Sequence, residues 1–294
     1  MLKIALPSGS LEEQTLRLFK EADLEVIRGL RQQKGVLDHG NFKAEITIMR
    51  PQIIPKLVER GNYHLGICGW DCVVESGATG VILVEKLNYS RFTSGNVKVV
   101  LFGSVDDLTQ KASEIKPGSR ILSEYPNYTR RFFEEQGLDV EIDFSSGTTE
   151  AHIPDDYPYG VCVSERGKSI NANKQKVIQV LFESATTLIA NQKIMESERG
   201  ARTVRALKLL LVGTLEARRK VLLTMNVPKD KMAEVIKLLP AMKAPTVSKL
   251  WEQDYFSVSA VVDIGWAGLF IPALLEAGAE DLIQQPISKV IKSW

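Results

Sequence analysis

Glu165-Arg166-Gly167-Lys168-Ser169-Ile170 is the stretch of this chain whose residue types best suit an anion. It follows the apolar run Tyr159 to Val163 and opens a helical pattern, so backbone N–H groups there would point at a phosphate with the helix dipole behind them. Arg166 and Lys168 either strengthen such binding by charge-assisted hydrogen bonds or fill the space it needs. A solvated basic turn is the plainer alternative. Arg50 stands at a strand end before Pro51, and its planar fork suits a polyphosphate or, equally, an ion pair on the surface. Glu124, Tyr125 and Asn127 follow the strand Arg120 to Ser123; Arg130 and Arg131 come next on a helix, one of the two facing solvent. Ser146, Gly147 and Thr148 form another turn before a helix, fit for phosphate or ribose, or for a turn and N-cap without ligand. Asp71 and Glu75, four apart on a helical pattern, read as a capping or solvent-facing acidic pair or as a Mg²⁺ contact. His64 lacks a positioned partner and reads as a structural strand-end histidine.

These residues need a frame, and the hydrophobic periodicity supplies alternating strands and helices. Strands are expected at Lys3 to Leu6, Glu45 to Met49, His64 to Cys68, Val81 to Glu85 and Val97 to Phe102, with the sheet changing near the last. Helices are expected at Leu11 to Lys20, capped by Ser10 with Glu13 three residues on, and at Pro51 to Glu59. A second series runs through Arg120 to Ser123, a helix from Asn127 to Gln136, Val140 to Phe144 and Tyr159 to Val163. Val177 to Phe182 and Thr187 to Ala190 are strands, and Ser197 to Arg218 is one long helix. The first 200 residues therefore read as two doubly wound α/β lobes, which place ligands at strand C-termini in the cleft between them. The remainder changes rhythm. Its strands at Lys220 to Asn226, Thr246 to Trp251, Tyr255 to Val262 and Asp281 to Gln285 alternate with two helices in the order βαββαβ, the ferredoxin-like split unit.

The 294 residues carry 37 Lys and Arg against 36 Asp and Glu, a net charge of +1, so no overall field recruits nucleic acid or an anionic membrane. Any anion site must be local. No apolar stretch reaches the roughly 18 to 20 residues of a membrane span, and the first residues do not read as an export signal. A cytoplasmic chain is expected. Cys68, Cys72 and Cys162 are too few for a disulfide framework and read as free thiols, and no ligand spacing supports structural zinc.

Seven collinear stretches together resemble one family, the long form of ATP phosphoribosyltransferase, the first enzyme of histidine biosynthesis. They are IALPSGSLEE from Ile4, MRPQIIPKLVERG from Met49, HLGICGWDCVVE from His64, SEYPNYTRRFFEEQG from Ser123, SSGTTE from Ser145, SERGKSINAN from Ser164 and ESATTLIAN from Glu183. The tail segments KVLLTMNVP, LLPAMKAPTVSKL and ALLEAGAEDLI are similar to the family's regulatory domain. The resemblance implies an α/β fold with a two-lobed catalytic part of the periplasmic-binding-protein type and a C-terminal ferredoxin-like domain that binds histidine. It places lobe I at 1–95 with 178–218, lobe II at 96–177 and the regulatory domain at 219–294. It further implies Mg²⁺-dependent condensation of ATP with phosphoribosyl pyrophosphate, feedback inhibition by histidine, and a homo-oligomer between dimer and hexamer. By that resemblance Arg50, Glu124 and Glu165 are catalytic. Ser8, Gly9, Glu165, Arg166, Gly167, Lys168 and Ser169 hold phosphoribosyl pyrophosphate; Arg50, Ser146, Gly147 and Thr148 hold ATP; Asn226, Thr246 and Ala279 hold the allosteric histidine.

The chain departs from the family's pattern at identifiable places. Ser8 stands where a Lys is usual in the first turn, His64 where an acidic residue commonly precedes Leu-Gly-Ile, and Cys162 at an acidic position before the phosphate loop. Arg166 and Lys168 replace small hydroxyl residues. Each change alters charge, so a paralogue that has lost catalysis and keeps a ligand-binding or regulatory role is the alternative. A solute-binding protein of the same two-lobe architecture is the third reading.

Overall fold

The computed structural model describes residues 1–29, 32–40, 42–87, 89, 96–164, 168–240, 242 and 244–292, with Lys168 described by its backbone alone. They form two compact units, 1–208 and 209–294. The first unit holds two sheets and the second holds one.

The first sheet contains β1 (Leu2–Pro7), β2 (Lys34–His39), β3 (Phe42–Met49), β4 (Leu65–Gly69), β5 (Val81–Lys86) and, returning much later, β11 (Thr186–Asn191), in the order β2-β3-β1-β4-β11-β5. β1 runs parallel to both β3 and β4, so the C-terminal ends of these three lie along one edge. Helices α1 (Glu12–Glu21), α2 (Ile54–Glu59) and α3 (Trp70–Ser76) are the crossovers. Central strands of such sheets are buried on both faces, and every residue of β4 and β11 is buried. Ser10 does not cap α1. It lies in a 3₁₀ turn, Gly9–Leu11, the cap position is Leu11, and no side chain bonds the helix start.

The second sheet contains β6 (Val97–Ser104), β7 (Arg120–Ser123), β8 (Glu141–Phe144), β9 (Tyr159–Ser164) and β10 (Gln175–Ser184), in the order β10-β6-β9-β7-β8. β9, β7 and β8 are parallel to one another, which aligns their C-terminal ends. Helices α4 (Pro126–Glu135) and α5 (Lys168–Ala172) belong to this half. The return to the first sheet comes later than the expected 177/178 boundary. β10 pairs antiparallel with β6 along its whole length, Gln175 opposite Ser104 and Ser184 opposite Val97, so Val177 to Phe182 belong to the second sheet.

After α6 (Gln192–Glu196), the long α7 (Glu198–Ala217) leads into the second unit. There β12 (Lys220–Pro228), α8 (Met232–Leu238), β13 (Thr246–Lys249), β14 (Tyr255–Asp263), α9 (Ile264–Glu276) and β15 (Glu280–Pro286) follow in the expected βαββαβ order. The sheet order β13-β14-β12-β15, antiparallel throughout, is the ferredoxin-like arrangement. Alternate residues Val221, Leu223, Met225 and Val227 form its core with Val258, Ala260 and Val262. β13 stops at Lys249 rather than Trp251, which stands 85% exposed in the following turn with no core to join.

One close approach sets the packing of the first sheet. A Cβ on Gly66, in the middle of β4, would come within 2.4 Å of Ile54 Cγ2 on α2. Helix and strand touch because this residue has no side chain. Gly66→Val should therefore lower unfolding free energy by about 1–3 kcal/mol through overpacking, read as a lower urea midpoint at unchanged slope.

Candidate active site

The C-terminal ends of β1 and β3 bring Ser8, Gly9 and Arg50 together, since the Ser8 amide donates to the Met49 carbonyl at 2.8 Å. Gly9 takes φ +79°, a left-handed conformation that a side chain would strain. Arg50 is exposed and precedes the 3₁₀ turn that Pro51 opens, which leaves its guanidinium available at the edge.

The second sheet contributes the facing set. Glu124 follows β7 and its carboxylate accepts the Thr149 hydroxyl at 3.2 Å. That hydroxyl lies 2.9 Å from Ser145 Oγ, and Thr149 is fully buried. Ser146, Gly147 and Thr148 sit between them in a turn whose residues Gly147 and Thr148 both have positive φ. Thr148 holds the cap position of the 3₁₀ helix Thr149–His152 without a side-chain cap, its hydroxyl donating to the Gly147 carbonyl instead. At the start of α5, Ser169 is exposed and donates to Glu150 Oε1 at 2.7 Å. Glu165, Arg166 and Gly167 lie outside the described residues, as does the Lys168 side chain.

Burial pushes the Glu124 carboxyl up to about 7, and the negative charges of Glu150 and Asp71 add to it. The Thr149 hydroxyl and the Val163 amide offset part of that rise. A group poised there can hold or release a proton near neutrality.

Asp71 and Glu75 join the two sheets across the unit. Ser184 Oγ donates to Asp71 Oδ1 at 2.5 Å and the Tyr125 hydroxyl donates to Asp71 Oδ2 at 3.1 Å. Glu75 accepts the backbone N–H groups of Asn127 and Tyr128 at 3.0 and 2.9 Å, closing the N-terminus of α4. Arg131 donates to the Val74 carbonyl, so it too serves this junction. Glu75 is thus a cap, but on a helix of the other sheet, while Asp71 bridges Ser184 and Tyr125. Among the described residues no three His, Cys, Asp or Glu side chains are grouped to hold a metal ion. Tyr125 was named from sequence only as a cleft-edge residue; its bridge to Asp71, and Thr149 beneath Glu124, were not foreseen.

Two of the sequence departures lie elsewhere. His64 precedes β4, at the opposite end of the strand from Gly69, and Cys162 is buried with Val100, Phe102, Ile153 and Ile170. In the second unit Asn226 and Thr246 sit on the sheet face away from the core, Thr246 opposite Ser259 and Asn226 donating to Asp281. Ala279 does not share that face; it is 3% exposed and packs in the core.

The comparisons decide the family. The ATP phosphoribosyltransferase family model matches residues 50–211, and the C-terminal domain model of the same family matches residues 217–289. The chain belongs to the ATP phosphoribosyltransferase family, long form. It is 34% identical over 290 residues to the ATP phosphoribosyltransferase of Pelotomaculum thermopropionicum, covering 99% of both chains, and 35% identical over 290 residues to that of Koribacter versatilis, again 99% of both. The family's enzymes are phosphoribosyltransferases of histidine biosynthesis. By fold, residues making up 74% of this chain superpose on 99% of a chain of the Thermotoga maritima ATP phosphoribosyl transferase (HisG:HisZ) complex, with a TM-score of 0.61 at 22% identity. The architecture is accordingly a two-sheet α/β part followed by the family's C-terminal domain.

Because the folded Glu124 carboxyl titrates above its ordinary value of 4.5, the native chain keeps a proton between about 4.5 and 7 that the unfolded chain has released. Its contribution to stability therefore falls as pH rises through that window. Denaturant unfolding from pH 4 to 8 should show this slope in the parent chain and a flatter profile in Glu124→Gln, with the variant gaining relative stability above pH 7.

Proposed function

We propose that this phosphoribosyltransferase joins N1 of the adenine of ATP to the anomeric carbon of phosphoribosyl pyrophosphate. The new N–C bond forms as the C–O bond to pyrophosphate breaks, and the leaving group takes that bonding pair. The observation that carries the reading is the meeting, in one unit, of two parallel-strand edges with complementary chemistry. One offers Ser8, Gly9 and Arg50; the other offers Glu124, the Ser146–Thr148 turn and Ser169. Positive charge builds on the ribose and negative charge on the leaving pyrophosphate, so preorganised charge at this edge lowers the barrier. Arg50 would stabilise the departing pyrophosphate, and the turns would orient ribose and nucleotide. Ser169, with Glu165, Arg166, Gly167 and Lys168, is the proposed cradle for the 5-phosphate.

The carboxylates near the cleft are already engaged by Thr149, Ser169, Ser184, Tyr125 and α4, and they do not form a cage for a resident metal. Mg²⁺ is therefore assigned to the substrate's phosphates, whose oxygens it prefers. A chain impaired in catalysis is disfavoured by the placement of its unusual residues. His64 lies at the far end of its strand and Cys162 is buried in a core, within reach of the charges of Glu124 and Glu150, which leaves Ser8, Arg166 and Lys168 as the changes that can touch substrate.

We further infer that the second unit senses histidine around Asn226 and Thr246, with backbone near Ala279. An amino acid's ammonium and carboxylate both find partners among strand-end carbonyl, N–H and side-chain groups. Self-association into a homo-oligomer in the cytoplasm completes the proposal, favoured by α9, where Leu269 is 78% exposed beside the stacked rings of Trp266 and Phe270.

Pyrophosphate release from ATP plus phosphoribosyl pyrophosphate tests the reaction, and Arg50→Ala should lower kcat about tenfold or more, about 1.4 kcal/mol of transition-state stabilisation, as well as raise KM. Unchanged kinetics would place Arg50 outside the site. Calorimetry should show histidine binding by the full chain and weakening of about tenfold in Asn226→Ala/Thr246→Ala, and equal binding by the two chains would move the sensor elsewhere.

A further inference from the structure

The N-terminal edge of the first sheet, at the other end of β1, β3 and β4 from Ser8 and Arg50, opens into a cavity of about 850 Å³. Its wall carries the cations Lys43, Arg60, Lys193 and Arg199 together with His64 and, among the described residues, no Asp or Glu. Lys43 lies 3.3 Å from Asp38. Arg60, Lys193 and Arg199 have no carboxylate at ion-pair distance among the described residues. Like charges gathered around one hollow repel each other, and a bound anion converts that repulsion into attraction.

The cavity is built on fixed backbone. Asn191, 6% exposed, donates through Nδ2 to the carbonyls of Val58 and Glu59 at 2.7 and 3.2 Å and accepts the Lys193 amide at 2.9 Å. One buried side chain thereby sets the spacing between the segment carrying Arg60 and the segment carrying Lys193. The start of the twenty-residue helix α7 borders the same space, with Ser197 Oγ accepting the Gly200 amide at 3.0 Å. Arg199 rides on its first turn, where the helix dipole adds positive potential.

His64 completes the set in a form particular to this chain, at a position where the family commonly carries an acid. Its Nδ1 accepts the Lys3 amide at 2.9 Å, which leaves the proton on Nε2 as a donor. Burial, and then nearby positive charge including that of Lys3, hold its pKa below the ordinary value. Phe42 supplies an aromatic surface on the wall.

We propose that this cavity binds a phosphorylated small molecule of nucleotide size, its phosphate met by Arg60, Lys193 and Arg199 and its ring system lying against Phe42. The volume suits a ligand of that size. The five residues of β4 separate the cavity from the reacting edge by about 16 Å, so occupation of one does not fill the other. The inference does not depend on the catalytic reading, because it uses none of the same side chains.

The test follows the His64 ring in the full chain by NMR while AMP or, in a separate arm, inorganic phosphate is added. Bound phosphate should raise the His64 pKa by about half a unit or more, roughly a threefold change in proton affinity. AMP should act at lower concentration than inorganic phosphate, and the response should disappear in Lys193→Ala/Arg199→Ala. His64→Asp should weaken AMP binding measured by calorimetry in the Arg50→Ala background, which reports this cavity apart from the catalytic edge. That the double variant is folded is read from its urea unfolding midpoint, expected to match that of the parent. No movement of His64 with either probe, or the same movement in the double variant, overturns the site. Equal response to AMP and inorganic phosphate overturns the nucleotide-sized ligand.

Discussion

Two carboxylates on one seven-residue helix hold the first unit in the arrangement on which its chemistry depends. Glu75 takes two of the orphan N–H groups that α4 would otherwise leave to solvent, and Asp71 takes the hydroxyls of Ser184 and Tyr125. Orphan donors at a helix start attract negative charge, so an acid from the opposite lobe is a natural partner. The helix bearing both acids follows directly from β4, and the helix they close follows directly from β7. Fixing α3 against α4 therefore fixes the ends of those two strands, and with them everything placed at those ends.

Strand direction does the rest. In the first sheet β1, β3 and β4 are parallel, in the second β7, β8 and β9 are parallel, and each trio delivers its following loops to one edge. Residues as far apart in sequence as Ser8 and Arg50 on one sheet, and Glu124 and Ser169 on the other, are thereby carried to the strand ends without any of them packing in a core. Antiparallel β6, β10 and β11 deliver no such loops; they carry the chain between sheets.

Elements with strong apolar periodicity were legible in the sequence, and their partners were not. VKVVLF, RILS and YGVCV announced themselves as strands, as did the βαββαβ rhythm of the tail. Lys34–His39 gave no such signal, because a strand at the sheet edge with Leu37 as its one buried residue has no alternation to display. Val177 to Phe182 read as a strand, yet its sheet is decided by pairing with residues some eighty positions earlier, which periodicity does not encode. Ser10 followed by Glu13 had the letters of a capping box while the backbone there turns as 3₁₀, carrying Ser10 inside the turn instead of onto the cap. Residue types and strand ends pointed to Arg50 and Glu124, and both residues stand just beyond the C-terminal ends of parallel strands. The spacing of Asp71 and Glu75 admitted a capping role, which Glu75 alone takes, but not the helix that is capped, since Asn127 lies 52 residues beyond Glu75.

The charge pattern of the cleft bears on how a polyphosphate is received. Burial first, with the negative charges of Glu150 and Asp71 adding to it, brings Glu124 to about 7. Such an edge disfavours a free polyanion, because each added negative charge meets several already present. In the proposed reaction the same edge would favour a polyphosphate that arrives with Mg²⁺, whose charge would cancel part of the phosphate's and attract the carboxylates. Arg50 would then face a substrate already partly neutralised, and its full charge would become most valuable only when the pyrophosphate separates and negative charge on it grows. In the proposed reaction, a basic residue on one edge and acids on the other are therefore complementary rather than opposed. In that reaction the acids would limit binding of metal-free polyphosphate, and the arginine would act where the bond breaks.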